Sequence, residues 1–227
     1  MLRVPRVAVI RFPGTNGDLD VVHALKNVVR VNTELVWYDD YRHGTYDAVV
    51  VPGGFSYGGD WLRAGAIAAR SRAMKEIIMD AEGGMPVLGI CNGFQILVEA
   101  GLLPGALLPN DPPRFITKWV WVRVNDSKTP FTKVYEPNEV VSMPIAHGEG
   151  RYFIDNVDEA RVAFTYFGEN PNGSVASIAG VANYGGNVLG LMPHPERSAE
   201  SVLAPRRFMP GGLKLWLSLR ESLSGGW

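Results

Sequence analysis

Three short apolar runs, two of them halted by proline and glycine, constrain this chain more than any other feature. They are RVAVIRF at 6–12 before Pro13-Gly14, DAVVV at 47–51 before Pro52-Gly53-Gly54, and PVLGI at 86–90 before Cys91-Asn92-Gly93. Runs this short read as strands, and the continuous DAVVV has the pattern of a strand buried on both faces. Helical patterns lie between them. Asp18–Arg30 places Leu19, Val22, Leu25 and Val29 on one stripe, and Gly65–Ala81 turns Ile67, Met74, Ile77 and Ile78 inward. Asn32–Tyr38 alternates as a strand, and Phe94–Ala100 continues helically to a Gly101 stop. Strands alternating with helices predict an α/β fold, a doubly wound and mostly parallel sheet flanked by helices.

The texture changes after Pro113. Phe115–Val124, Val140–Ile145, Tyr152–Ile154 and Val175–Ala182 read as strands, with few helix signals before Gly211–Ser222. This predicts an antiparallel extension of the same sheet, closed by a C-terminal helix. No Pro/Gly/Ser-rich linker divides the 227 residues, so one domain over 1–227 is expected.

A formal net charge of −1 gives no electrostatic footprint for nucleic acid or an anionic membrane. The longest uncharged stretch, Asn170–Pro195, is broken by glycines, asparagines and prolines and does not read as a membrane helix. The run VAVI is too brief for a signal-peptide core, so a cytoplasmic location is expected. A single cysteine excludes an intrachain disulfide and a cysteine-based zinc cluster.

That cysteine stands in strand, G-x-C-x-G, helix: the pattern of a nucleophile elbow. A side chain displayed on so sharp a turn leaves little room beside it, which Gly89 and Gly93 answer. The helix that follows offers a positive dipole end, favouring the thiolate of Cys91. The Asn92 N–H is placed for a developing oxyanion. Gln95, one turn further on, can face the same cleft. His194 follows the apolar run NVLGLM. In an extended segment Glu196 would share its side and bond one ring nitrogen, leaving the other for Cys91. Pro195 restricts the backbone between them. Gly54, at the end of another buried strand, is a candidate second oxyanion donor, since active-site groups gather at the carboxyl ends of parallel strands. A tight turn would need the same glycines, and a buried apolar cysteine is the commoner fate of a lone thiol.

With these residues in place the chain resembles the class I (triad) glutamine amidotransferases, through PGG at 52–54, GICNGFQ at 89–95 and HPE at 194–196. Longer blocks are similar to the glutaminase subunits of phosphoribosylformylglycinamidine synthases. They are RFPGTNGD at 11–18, PGGFSYGGDWLRAGA at 52–66, CNGFQILVEAGLLPGAL at 91–107, PIAHGEGRY at 144–152, NPNGS at 170–174 and GNVLGLMPHPER at 186–197. The resemblance implies Cys91 as nucleophile, His194 as general base and acid, Glu196 as its partner, and Gly54 and Asn92 as the oxyanion hole. It further implies Phe55, Gln95 and His147 at the glutamine substrate. For His147 a structural turn or a partner contact is an equal alternative. Gly58-Gly59 adds a glycine to the usual pattern, which touches the register of Asp60 and Arg63. Arg63 reads either as a partner contact or as a solvated charge.

The chain carries neither a G-x-x-x-x-G-K-[ST] loop nor a dinucleotide fingerprint. No cofactor is therefore expected in it. The resemblance implies ATP and Mg²⁺ on a large synthetase subunit as partner, with or without a small accessory subunit. Three rival functions remain: a glutaminase for another amidation pathway, a peptidase- or deglycase-like cysteine hydrolase, and a non-catalytic scaffold.

Overall fold

The computed structural model describes residues 4–59 and 63–227; Asp60 lies outside them. A sheet in the order β2-β1-β3-β4-β11-β10-β9-β6-β7 forms the core. Strands β1 (Arg6–Arg11), β2 (Asn32–Trp37), β3 (Ala48–Val51), β4 (Val87–Ile90) and β11 (Val188–Leu191) pair in parallel. Strands β6 (Ile116–Val124), β7 (Val140–His147), β9 (Arg161–Phe167) and β10 (Ile178–Ala182) extend it antiparallel from β11. The fold is the predicted one. β3 is buried at every position and so is β4, as strands covered by helices on both faces must be.

The helices depart from expectation in detail. α1 (Asp18–Val22) runs into wider turns over His23–Val28, and Leu19 is 61% exposed although Leu25 and Val29 are buried. The helix predicted over 65–81 is two: α2 (Ala66–Ala69) and α3 (Arg72–Glu82). The Ser71 hydroxyl accepts from the Met74 N–H at 3.2 Å, an N-cap that starts a new helix and leaves Ile67 half exposed. The strand predicted over 175–182 begins at Ile178, because Ala176 and Ser177 take positive φ. β8 (Arg151–Phe153) leaves the main sheet and pairs with β5 (Ala106–Leu108). α5 (Gly212–Gly225) closes the antiparallel half with Trp216 fully buried.

α4 (Asn92–Glu99) lies so close to the sheet that a Cβ on Gly93 would stand 1.8 Å from the Val51 carbonyl oxygen. On Gly89 it would meet the Gly93 backbone at 2.7 Å. The glycines flanking Cys91 are therefore what allow a helix to start directly over β3 and β4. A Gly93→Ala chain is expected to lose more than about 3 kcal/mol, since the obstructing atom is backbone and cannot swing away. Gly84→Ala, at φ +90 with open space around the added Cβ, should cost only about 1 kcal/mol. Urea midpoints of the two variants measure the difference.

Candidate active site

Cys91 carries φ +51 and ψ −105, backbone that a residue with a side chain adopts only when its surroundings impose it. The Cys91 N–H donates to Leu191 O at 2.8 Å, and the Gln95 N–H donates to Cys91 O at 3.1 Å. β11 and α4 thus fix the residue from both sides. Its sulfur lies 3.7 Å from Ala146 O at the wall of a cleft of about 410 Å³. Gly54, Phe55, Asn92, Gln95 and His147 line the same cleft.

The base comes from the end of β11. His194 is extended (φ −103, ψ 94), and its N–H donates to Pro144 O at 2.8 Å. Its Nδ1 lies 2.6 Å from Glu196 Oε1, with both side chains buried. The pair was expected from two residues on one side of an extended segment. Instead Glu196 sits in a tight turn, Pro195–Ser198, which folds the carboxylate back under the ring. His194 Nε2 is buried without a hydrogen-bond partner among the described residues, which leaves it for sulfur or substrate. A Cβ on Gly53 would stand 2.8 Å from His194 Cε1 and 3.5 Å from Cys91 Cβ. Glycine at 53 is thus what lets the imidazole stand beside the thiol. Burial works against charge on His194, but Glu196 and then Cys91 outweigh it and hold its pKa up at about 9.

Two backbone amides can serve an oxyanion. Gly54 opposes Thr15 in an isolated antiparallel bridge whose hydrogen bonds are Phe55 N–H to Gly14 O and Asn16 N–H to Gly53 O. In that arrangement the Gly54 N–H takes no part in the bridge. Gly54 has φ +153, and a Cβ there would press on Gly14 O and Thr15 Cα at 2.7 Å. The Asn92 N–H opens α4, where first-turn amides have no partner within the helix. The Asn92 side chain joins the two loops: Oδ1 accepts from the Ser56 N–H at 3.1 Å and Nδ2 donates to Gln95 Oε1 at 2.9 Å.

Gln95 donates its other amide end to Glu149 O at 2.6 Å, so it ties α4 to the 147–150 turn as well as facing the cleft. Phe55 is 45% exposed and packs against Phe115, with ring centroids 6.4 Å apart. His147 is buried, with burial first and then the charge of His194 pushing its pKa down to about 4. Its placement owes most to Asn110, which no sequence reading singled out. Asn110 Nδ2 donates to the carbonyls of Arg114 and His147, and Oδ1 accepts from the Gly150 N–H. Since Oδ1 can only accept, His147 Nδ1, 3.0 Å away, must carry the proton. Arg63 pairs with Glu99 at 2.5 Å and is half exposed, so it is not a free solvated charge.

Among the described residues no three His, Cys, Asp or Glu side chains are grouped to hold a metal ion, and no helix is long and apolar enough to cross a membrane. Residues 4–219 match the family described as the CobB/CobQ-like glutamine amidotransferase domain. The phosphoribosylformylglycinamidine synthase subunit PurQ of Pyrobaculum aerophilum is 63% identical over 214 residues, covering 94% of this chain and 97% of that protein. The protein of the same name from Pyrococcus furiosus is 55% identical over 224 residues, covering 95% and 97%. A chain in the structure of PurLQS from Thermotoga maritima matches with a TM-score of 0.89 at 44% identity, covering 97% of this chain and 100% of that one. A glutamine amidotransferase from Thermotoga maritima shares the fold, with a TM-score of 0.63 at 18% identity and 97% coverage of each chain.

Proposed function

We propose that this chain, which belongs to the CobB/CobQ-like glutamine amidotransferase family, is the glutamine-hydrolysing subunit of a phosphoribosylformylglycinamidine synthase in purine synthesis. The observation that carries the chemistry is Cys91 on its strained turn, beside an imidazole whose far nitrogen is held by a buried carboxylate. The Cys91 thiolate attacks the side-chain amide carbon of glutamine. The carbonyl oxygen becomes an oxyanion held by the Gly54 and Asn92 amides, each donor of this kind contributing about 3 kcal/mol. Protonated His194 gives its Nε2 proton to the amide nitrogen, the C–N bond breaks, and ammonia leaves a γ-glutamyl thioester. His194 then takes a proton from water, whose oxygen attacks the thioester. Collapse expels the Cys91 thiolate and releases glutamate. Gln95, Phe55 and His147 shape the cleft around the rest of the substrate.

Ammonia passes to a separate synthetase subunit, with or without a small accessory subunit. That partner uses ATP and Mg²⁺ to convert formylglycinamide ribonucleotide to the amidine. The absence of a phosphate-loop motif from this sequence supports the division of labour. The test is glutamate release by the chain alone, and with the synthetase subunit, ATP and formylglycinamide ribonucleotide. Release should be strongest in the full mixture, with one glutamate per amidine formed. Release indifferent to the acceptor would overturn the pathway, and none from an assembled complex would overturn the glutaminase.

A further inference from the structure

The glutamine cleft carries two charges that attack on the amide end does not use. Among the described residues that line it, Arg114 and Glu149 are the formally charged ones. His147, with its pKa pushed down to about 4, is neutral there near neutral pH. Both charges lie where β6 and β7 run out. The antiparallel register of these strands ends at Ile116 opposite His147. One step beyond, Phe115 still faces Gly148, since a Cβ on that glycine would stand 3.6 Å from the Phe115 ring. A second step sets Arg114 across from Glu149. Opposite charges so placed attract and ordinarily pair. Yet neither enters an ion pair among the described residues, although Arg114 is exposed and Glu149 only partly buried.

Their backbones are nonetheless fixed. The Arg114 N–H donates to Pro112 O, and the Arg114 carbonyl accepts from Asn110 Nδ2, each at 2.9 Å. Asn110 Oδ1 accepts from the Gly150 N–H at 3.0 Å, next to Glu149. Glu149 O accepts from Gln95 at 2.6 Å, and Glu149 Oε2 accepts from the Ala64 N–H at 3.2 Å. One asparagine thus holds the loop of the cation against the turn of the anion. Two opposite charges on one frame, not neutralising each other, are the complement of a zwitterion. Glutamine is one: its ammonium and carboxylate share a carbon, three carbon–carbon bonds from the amide carbon that Cys91 attacks.

We propose that Arg114 binds the α-carboxylate of glutamine and Glu149 its α-ammonium, so that the two select a free amino acid over other primary amides. The proposal rests on the reading of the chain as a glutaminase. The guanidinium offers the carboxylate a fork of N–H donors. Glu149 keeps one oxygen for the ammonium while the other holds Ala64.

The experiment measures ammonia release from three amides by the chain assembled with the synthetase subunit, ATP and acceptor. Glutaramate is glutamine without its ammonium, and γ-aminobutyramide is glutamine without its carboxylate. With glutamine, Arg114→Met and Glu149→Gln should each lower kcat/KM about 30-fold, mostly through KM. Glu149→Gln retains an oxygen for the Ala64 N–H, so the turn keeps its tie. Arg114→Met should cost glutaramate as much as glutamine, but γ-aminobutyramide less than about threefold. Glu149→Gln should show the reverse. Arg114→Lys should recover most of what Arg114→Met loses, because the charge returns. Where an amide turns over too slowly, its inhibition constant against glutamine takes the place of kcat/KM. Equal losses on all three amides would make both residues structural and overturn the proposal, as would wild-type kinetics with glutamine in both variants. An assembled wild-type complex that releases ammonia from none of the three overturns the glutaminase reading, and the assignment falls with it.

Discussion

A Cys91→Ala chain is expected to release no glutamate above background, a loss of at least about 10⁴-fold in kcat, while still assembling with its partner. The loss is that of the only nucleophile: the chain has no other cysteine, and no other side chain stands on the elbow. The same variant should leave synthesis from added ammonium salts intact, since only the supply of ammonia is cut. Retained glutamate release would sink the thioester route. Stability supplies a second reading of the same position. Alanine keeps the cost of φ +51 and ψ −105, whereas glycine removes it, at about 1–3 kcal/mol for backbone of this kind. Against the entropy that glycine adds to the unfolded chain, Cys91→Gly should still unfold about 1 kcal/mol later than Cys91→Ala. Both should be inactive. If the glycine variant is the less stable of the two, the turn at Cys91 is not strained.

What could be read beforehand was what lies close in sequence. Gly89, Cys91 and Gly93 stand within five residues of each other, and a strand stop followed by a helix start determines what the turn displays. His194 and Glu196 are legible as neighbours, although in sequence the tight turn that joins them reads as extended chain. The contacts that complete the site are remote in sequence and carry no local signal. Asn110 reaches the 147–150 turn across 37 and 40 residues, Gln95 reaches Glu149 across 54, and the Asn92 side chain meets Ser56 across 36. Nothing in the composition around Asn110 distinguishes it from a turn asparagine. The same limit explains the helices: apolar spacing over 65–81 is continuous, and only the capping hydroxyl of Ser71 marks the break. It explains the β5–β8 ribbon as well, because a three-residue strand announces no partner. In each case the sequence within one turn or strand was decisive, and what depended on tertiary pairing was not.

Glu196→Gln isolates the role of the carboxylate, because the amide nearly preserves shape while removing charge. Gln can still accept from His194 Nδ1, but it can equally turn its NH₂ toward that nitrogen and select the wrong tautomer, with Nε2 protonated and no longer a base. Loss of the corresponding carboxylate charge in a hydrolase triad costs about 10⁴-fold in kcat, and an effect of about 10³–10⁴-fold is expected here with KM little changed. The pH dependence of stability should weaken with it. In the wild-type chain the folded pKa of His194, about 9, lies above the unfolded value of about 6.5. The stability this contributes is complete below about pH 6.5 and is lost as pH rises toward 9. Without the carboxylate, burial is opposed by Cys91 alone, and the pKa of His194 falls from its wild-type value. The stability that is lost as pH rises toward 9 shrinks with it. His147, held at about 4 by burial and then by the charge of His194, contributes in the opposite direction, with stability present above about pH 6.5 and lost as pH falls toward 4. Urea midpoints measured from pH 5 to 9 should therefore decline on the alkaline side in the wild-type chain and flatten there in the variant. Parallel curves, together with a kcat loss, would mean that Glu196 orients the ring without holding its charge. A kcat close to wild type would remove Glu196 from the triad.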